Sequence, residues 1–287
     1  MSNIAAYKTS YREDVVDEFE QRQSLLRGSV VTEFMRQNGS QNVVFLVAGS
    51  GGASATTRGV DGDLVYRTNS NTQNTCTLKP WYDAVHLLDF DIFAAQGDQK
   101  KVAQRGTVGA INRQIDDDII TVLDTATVQV SATAAKGTVE DILHAQSILI
   151  NAYAPQDGNS TALITSAFSS YLLMSDAFSN IDYVNTKPLA DGGLNWRDQH
   201  LSYMWNGIQF IVHPRLTGVG TATEKCYIYH RDAIGHAFDS ETLELDMGYD
   251  GEHRRSWVNA SNFFGSKKLQ NTGIVQFLHD GSGMAAA

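Results

Sequence analysis

The sequence has little of what disulfide-rich, metal-binding and membrane proteins depend on. Its 287 residues include two cysteines, Cys76 and Cys226, which lie far apart and match no metal-ligand spacing. Two free thiols in a reducing compartment are the simpler interpretation, and a single disulfide is also compatible with the sequence. The longest apolar runs, such as residues 43–48, are too short to span a bilayer, and residues 1–14 lack the apolar core of a signal peptide. We therefore expect a soluble protein that stays in the cytosol after synthesis.

Positive charge is also scarce. The formal net charge is −10, because 32 acidic residues outnumber 22 basic ones, and the basic residues cluster only in pairs such as Lys100 and Lys101. Sequence-independent binding of nucleic acid needs clustered positive charge, so we do not expect this chain to bind DNA directly.

Motifs of catalysis and ligand binding are missing as well. The Gly-rich segment at residues 49–59 has neither P-loop nor dinucleotide-binding spacing, and no HExxH or GxSxG motif occurs. Residues 116–118 are three consecutive aspartates, which cannot converge on one ion from a helix, so we expect them to form a solvated or interface-facing side. His230 and His236 are expected to be ordinary polar or core residues. The sequence predicts no catalytic, cofactor-binding or metal-binding residue.

The longest unbroken helical period runs from Lys100 to Asp124. One stripe of this helix is predicted to carry Val108, Ile111, Ile115, Ile119 and Val122. The side chains off the stripe are Gln104, Arg113, Asp116, Asp117 and Asp124. A helix of this length measures roughly 37 Å, and it separates a Gly/Thr-rich segment from a compact α/β segment.

Other elements follow from capping residues and turn signals. A helix is predicted over residues 14–37, and another begins after Thr138, whose side chain is a good cap with Glu140 and Asp141 in the first turn. Its inward residues are expected to be Val139, Ile142, Leu143, Ile150 and Ala152. A short helix is predicted over residues 166–178, strands over 161–165, 208–213, 225–230 and 273–278, and a short helix or turn over 230–238.

Residues 42 to about 93 are predicted to be rich in β-strands, at about 42–49, 64–70, 75–80 and 82–90, with few large apolar residues. Such an excursion cannot bury a core of its own, and a two- or three-stranded ribbon is marginal alone. Its open edges favour pairing with a neighbouring molecule. We expect subunit contacts at Arg58, Arg67, Lys79 and Trp81.

The order of these parts resembles that of the major capsid proteins of tailed double-stranded DNA bacteriophages, the lambdoid-type capsid fold that is shared with encapsulins. The resemblance covers most of residues 14–279 and rests on ordered elements rather than on one sharp motif. The local matches are DFDIFAAQGDQKKVAQRG before the long helix, then GTVEDILHAQSILINAYAP, TALITSAFSSYLL, MWNGIQFIVHPRL, KCYIYHRDAIGHAF and GIVQF.

The resemblance implies an α+β fold of four parts. These are an N-terminal arm at 1–40, an extended β loop at 41–95, a peripheral domain at 96–175 with a spine helix at 100–124 and completed by 261–287, and an axial domain at 176–260. Rings of five and six copies would tile an icosahedral shell around double-stranded DNA. The protein would be structural rather than an enzyme, it would need no cofactor, and it would not associate with a membrane.

The resemblance also implies partners and a location. A portal protein, an optional decoration protein and DNA packaged without specific binding are expected, with assembly in the host bacterial cytoplasm and a final location in the virion capsid. A separate scaffolding protein is expected too, because the sequence has no long N-terminal extension that could serve as a built-in scaffold. Two alternatives remain at this stage: an encapsulin-like shell that holds a cargo enzyme, and a soluble α/β enzyme.

Overall fold

A computed structural model describes residues 21–34, 41–50, 52–58, 62, 64, 66–94, 98–130, 134, 136–175, 178, 202–239 and 244–284. Its helices are α1 (Asp89–Ala94), α2 (Gln99–Leu123), α3 (Val139–Asn151) and α4 (Ser166–Met174). Its strands are β1 (Val31–Phe34), β2 (Asn42–Gly49), β3 (Ser70–Thr77), β4 (Lys79–Leu88), β5 (Ser160–Ile164), β6 (Ser202–Trp205), β7 (Ile208–Val212), β8 (Glu224–His230), β9 (Ile234–Phe238), β10 (Glu244–Asp250), β11 (Arg255–Lys268) and β12 (Ile274–His279).

The chain divides into two compact units. The first unit comprises Met1–Ser24, Pro80–Gln114 and Ser240–Phe263, and the second comprises Leu25–Lys79, Ile115–Asp239 and Phe264–Ala287. These bounds differ from the predicted domain boundaries, because β5 pairs with both β7 and β8 across the predicted boundary at residue 175. The assignment of peripheral and axial domains stays a prediction.

The second unit contains a five-stranded sheet in the order β12-β8-β5-β7-β6. Only the pair formed by β5 and β7 is parallel, and all five residues of β5 are buried. Its core includes Phe168 and Leu172 of α4 and Ile142 of α3. Between β6 and β7, Asn206 and Gly207 have φ angles of 50° and 75°, which fit the tight hairpin turn that this dipeptide predicts.

Helix α3 begins where the sequence predicts, but the prediction of its inward-facing residues is only partly correct. Thr138 and Asp141 form a capping box, in which each side chain bonds the backbone N–H of the other. The buried residues of the helix are Ile142, Ala145 and Leu149. The predicted inward residues Leu143 and Ile150 are instead 45% and 48% exposed, because the sheet covers only one narrow stripe of the helix.

One helical prediction is wrong over its described part, and a second is correct only in part. Within the predicted helix 14–37, residues 27–29 form a single 3-10 turn and β1 follows, while residues 1–20 and 35–37 lie outside the described part. Strand β1 pairs in parallel with β9. Of the predicted short helix or turn at 230–238, residues 231–233 do form a 3-10 helix, whereas residues 234–238 form β9. Each strand supplies the hydrogen-bond partner of the other, which no local pattern can indicate.

The first unit contains β10 and β4, both paired with β11. Strand β10 is antiparallel to the first half of β11, from Glu244 opposite Ser261 to Asp250 opposite Arg255. A side chain at Gly248 would meet the Trp257 ring, since a Cβ built there lies 2.4 Å from Trp257 Cζ2. The absence of a side chain at Gly248 therefore leaves room for the indole of Trp257.

Phe168 gives a test of the core of the second unit. The side chain is fully buried, and its ring centroid lies 5.2 Å from that of Phe277. We expect Phe168→Ala to lower the free energy of unfolding by about 3–5 kcal/mol, measured by chemical denaturation of unassembled protein. Leu173→Ala on the same helix is the control, since Leu173 is 48% exposed, and should cost less than about 1 kcal/mol. Equal losses in the two variants would contradict this packing.

His236 on β9 gives a pH-dependent test. The imidazole is fully buried, its Nδ1 lies 3.0 Å from Ser266 Oγ, and burial, with a smaller effect of the Arg27 charge, lowers its pKa from 6.5 to about 4. A histidine with a lowered pKa contributes stability that is complete above pH 6.5 and is lost as the pH falls toward about 4.

We expect acidification over that interval to cost about 3 kcal/mol of unfolding free energy through His236. His236→Gln should flatten the dependence between the two pH values, whatever its effect on absolute stability. His144→Gln, at an exposed position on α3, is the matched control and should keep the slope of the wild type. The measurement is the unfolding free energy at closely spaced pH values. If its slope with pH is the same in all three proteins, His236 is not the source of the pH dependence.

Candidate functional site

The carboxylate of Asp116 on α2 is buried and accepts hydrogen bonds from the backbone of Leu25 and Leu26. Its side chain is 0% exposed, Leu25 N–H donates to Oδ2 at 3.0 Å, and Leu26 N–H donates to Oδ1 at 3.2 Å. The prediction that residues 116–118 form a solvated or interface-facing helix side is therefore wrong for Asp116. Sequence spacing carries no signal for these contacts, because the partners are about ninety positions away.

A buried histidine completes the surroundings of this carboxylate. His213 Nε2 lies 3.2 Å from Asp116 Oδ2, and the backbone N–H of Arg215 donates to His213 Nδ1 at 3.2 Å. Since Nδ1 accepts a hydrogen bond, the proton of the neutral imidazole is on Nε2, which donates to the carboxylate. Three donors thus converge on one ionised group, which is the arrangement that a buried charge needs.

Further contacts hold the same segment, residues 25–34, which we call the anchor. Leu26 and Val30 are fully buried, and Ser29 Oγ is hydrogen-bonded to the hydroxyl of Tyr229. The Arg27 guanidinium lies 4.2 Å from the centroid of the Phe238 ring, within the range of a cation–π interaction. The pairing of β1 with β9 adds a ladder of backbone hydrogen bonds, so the anchor is an integral part of the second unit.

The other two aspartates of the run point to different partners. Asp117 pairs with Arg215, whereas Asp118 is 9% exposed and burial raises its pKa, against hydrogen bonds from Ser266 and the charge of Lys79. Within the described residues, no group of three or more His, Cys, Asp or Glu side chains is placed to hold a metal ion. In the same part of the chain, no helix is both long and apolar enough to cross a bilayer.

Strands β2 and β3 pair in an antiparallel arrangement, and we call residues 42–77, which begin with β2 and end with β3, the ribbon. Its base packs on β9, where Phe45, Cys76 and Leu78 form a small buried cluster with Ala237. A Cβ at Gly235 would lie 2.9 Å from Phe45 Cζ, so the absence of a side chain there lets the ribbon approach β9. The predicted strand at 64–70 is wrong over its described part before Ser70, where β3 begins.

The distal part of the ribbon is uncovered. Leu64 is 64% exposed and Tyr66 is 90% exposed, and residues 52–58 and 66–73 are exposed throughout. This distribution agrees with the expectation that the excursion buries no core of its own beyond its base.

Three of the four predicted contact residues, Arg58, Arg67 and Lys79, are exposed in the structure, and Trp81 on β4 is half-buried. Arg58 uses its Nε–H to bond the carbonyl of Gly62 within the ribbon. Contacts of all four residues with another subunit stay a prediction.

Neither cysteine is paired in a disulfide, and both are buried. Burial raises the pKa of Cys76 to about 11 and that of Cys226 to about 12, so both thiols stay protonated at neutral pH. The interpretation with two free thiols is therefore correct.

One cavity of about 230 Å³ is lined by Tyr153, His230 and Asp232, among others. His230 is already engaged there: its Nε2 lies 3.0 Å from Asp157 Oδ1, and its Nδ1 accepts a bond from Asp232 N–H. Like His236, it is a buried residue with a structural role, as the sequence predicts for both. The residues that line the cavity include no nucleophile paired with a base.

Comparison with solved structures places this fold among viral capsids. A chain of Mycobacterium phage Che8 has a TM-score of 0.73 and 15% identity, with 96% of this chain and 98% of that chain covered. The capsid structure of Cyanophage P-SCSP1u has a TM-score of 0.71 and 11% identity, with coverage of 96% and 93%. The head structure of Helicobacter pylori bacteriophage KHP40 has a TM-score of 0.71 and 10% identity, with coverage of 97% and 96%. At such low identity the likeness establishes the fold alone, and the expected capsid fold is confirmed.

Sequence comparison supplies the family. No curated protein matches the sequence. The family model for phage capsid proteins, in contrast, matches residues 4–280, which is nearly the whole chain. We conclude that this protein belongs to the phage capsid protein family.

Proposed function

We propose that this protein is a major capsid protein that assembles through pentamers and hexamers into an icosahedral shell enclosing double-stranded DNA. The observation that carries the proposal is the uncovered distal ribbon, which projects large apolar side chains such as Leu64 and Tyr66 into solvent. A two-stranded ribbon of this kind is marginal by itself and gains stability by burial against another molecule. Within a shell, that molecule is a neighbouring copy.

Shell assembly needs the same contact repeated many times with small changes in angle. A heterologous contact, in which one patch meets a different patch on the next copy, closes into rings when the rotation permits. An extended ribbon suits such a contact, because it can lap over a neighbour and tolerate changes in curvature. We propose this role for the ribbon and for the part of the predicted N-terminal arm (residues 1–40) that precedes the anchor, with Arg58, Arg67, Lys79 and Trp81 as contact residues.

The resemblance to capsid proteins suggests two domain roles. A peripheral domain would contain the spine helix, and an axial domain would lie near the capsomer axis. Helix α2 is the proposed spine, at residues 99–123 rather than 100–124. We propose the peripheral domain at residues 96–175, completed by 261–287, and the axial domain at 176–260.

Four further partners belong to the proposal: a portal protein, a separate scaffolding protein, an optional decoration protein, and packaged DNA without specific binding. The net charge of −10 supports the last of these, since an acidic wall does not hold a polyanion that must later leave. We propose that assembly takes place in the host bacterial cytoplasm.

The two alternative functions are not favoured. An encapsulin-like shell shares the fold, but the family model that matches is that of phage capsid proteins. The same family and fold point to a structural protein rather than to a soluble α/β enzyme.

Expression of the chain alone tests the proposal. We expect large particles in size-exclusion chromatography and negative-stain microscopy, with mixed sizes because no scaffolding protein is present. Uniform closed shells from the purified chain would refute the separate scaffold and leave the capsid proposal standing. A stable monomer or dimer under all assembly conditions would contradict the capsid proposal itself.

A shortened ribbon tests its role in assembly. Gly49 pairs with Ser70, so replacing residues 50–69 by Asn-Gly should close β2 and β3 with a two-residue turn and keep the base intact. We expect the unfolding free energy of the unassembled chain to change by less than about 1 kcal/mol, whereas particle formation should be lost.

A second ribbon variant keeps the length of residues 50–69 but replaces them with Gly and Ser. If both variants fail to assemble, the side chains of the ribbon make the contact. If only the shortened variant fails, the length of the ribbon is what assembly requires. Normal particles from the shortened variant would refute the proposed role of the ribbon.

A further inference from the structure

The cavity lined by Tyr153, His230 and Asp232 has the size of one long side chain. Its volume is about 230 Å³. A water molecule takes up about 30 Å³ of the liquid, so the cavity has room for roughly seven waters. Pockets for cofactors and drug-sized ligands begin at about 300 Å³. The space therefore suits a side chain from another molecule better than a small-molecule ligand.

The charges at this cavity are negative. The exposed Asp232 carboxylate lines it, and Asp157 lies beside it, 3.0 Å from His230 Nε2. Since His230 Nδ1 accepts from Asp232 N–H, the proton of the neutral imidazole is on Nε2 and is donated to Asp157. Hydrogen bonds from His230 and Asn159 keep the pKa of Asp157 below its ordinary value. No Lys or Arg is among the described residues of the lining, so the cavity favours a cation.

Tyr153 at the rim has a backbone conformation that favours glycine. Its φ angle is 60°, and it follows α3 in a Schellman motif, in which Tyr153 N–H donates to Ile150 O and Ala154 N–H donates to Leu149 O. Glycine is usual at this position, because a side chain strains the left-handed backbone. The Tyr153 side chain is 94% exposed, so packing within the chain does not account for it. Strain retained at an exposed aromatic residue indicates a contact with another molecule.

We propose that this cavity is the docking site for the ribbon of a neighbouring copy of the chain, which inserts Arg67 between the Tyr153 ring and the Asp232 carboxylate. The proposal rests on the capsid function proposed above and names the surface that receives the ribbon.

Arg67 is well placed to reach another copy. The eight residue pairs of β2 and β3 carry the end of their ladder roughly 27 Å from the base, at about 3.4 Å per residue. Arg67 lies beyond that end, is exposed, and is the only charged residue of the sequence between 64 and 78. The adjacent Tyr66 is 90% exposed and adds apolar area to the same contact. Arg58, in contrast, already donates to the Gly62 carbonyl of its own ribbon.

The chemistry of the cavity suits a guanidinium group in particular. A planar guanidinium can stack on the Tyr153 ring and at the same time form two parallel hydrogen bonds to the Asp232 carboxylate. A lysine in place of Arg67 would keep the charge but lose the planar fork and most of the stacking. Every copy offers one ribbon and one cavity, so the contact is heterologous and can be repeated around a ring.

An exchange of charge between the two copies tests the proposal in the full chain. Arg67→Asp and Asp232→Arg should each raise the protein concentration needed for particle formation by on the order of 10-fold, because each leaves two like charges in contact. The two substitutions together rebuild the ion pair in reverse and should restore most of the assembly. Light scattering and negative-stain microscopy measure particle formation.

The matched control is Glu252→Arg, which makes the same change of charge at an exposed position between β10 and β11. Alone it should leave the concentration for particle formation unchanged. Combined with Arg67→Asp it gives the same net charge as the exchange variant and should not restore assembly.

Tyr153→Gly separates the contact from folding. Because it relieves the left-handed backbone, the Tm of the unassembled chain should not fall. The concentration needed for particle formation should nevertheless rise as it does in Asp232→Arg, since the ring against which the guanidinium stacks is lost. Unchanged assembly in this variant would contradict the stacking role of Tyr153.

Cross-linking locates the contact while leaving Arg67, Tyr153 and Asp232 in place. Thr68→Cys puts a thiol next to Arg67, Thr272→Cys puts one in the cavity lining, and the native cysteines are buried. In particles of the double variant, a short bis-maleimide should join copies into a ladder of multiples on denaturing gels. Particles of either single variant should give monomers. If the charge variants do not fold, this measurement decides.

The docking site is overturned if the charge exchange fails to restore assembly, or if cross-linking gives no product or only links within one chain. Wild-type particles together with either result would leave the capsid function standing and remove this docking site alone. A wild type that forms no particles would refute the capsid function and the docking site with it. The two failures are therefore distinguishable.

Discussion

A buried charge can be part of a stable interior only if donors surround it, and Asp116 shows how that requirement organises one end of this chain. Leu25, Leu26 and His213 each supply a donor, and Arg215 fixes the tautomer of the histidine. Together with Asp116 itself, these residues come from three distant parts of the sequence. The carboxylate therefore joins the N-terminal segment, α2 and the end of β7 within one unit, and none of the three can shift without leaving a polar group unpaired.

Burial is distributed unevenly along the chain. The second unit buries the sheet from β12 to β6 with side chains such as Phe168 and Phe277, whereas the ribbon buries only its base. A protein that functioned alone would gain stability by covering side chains such as Tyr66. In a member of the phage capsid family, the same exposed side chains supply area for contacts between copies. The incomplete burial within one chain is therefore what allows many chains to associate.

Periodic and local features could be predicted from the sequence. Helix α2, the cap of α3 at Thr138, strand β5 and the Asn206-Gly207 turn depend on spacing or on neighbouring residues, and each lies within a residue or two of its predicted place. The burial of Ile115 and Ile119 follows from the same period. The resemblance to tailed-phage capsid proteins depended on the order of such elements, and so it was accessible without a structure.

Long-range pairing could not be predicted in this way. Residues 25–34 have an apolar spacing that suits a helix, yet β1 forms because β9 offers it a parallel edge two hundred positions later. Asp116 lies beside the apolar stripe and reads as a surface residue until its donors are located in space. The sequence by itself determined where hydrophobic periods, caps and turns occur, because these depend on neighbouring residues; only the tertiary structure decided which strands pair and which charges are buried, because those depend on groups brought together by the fold.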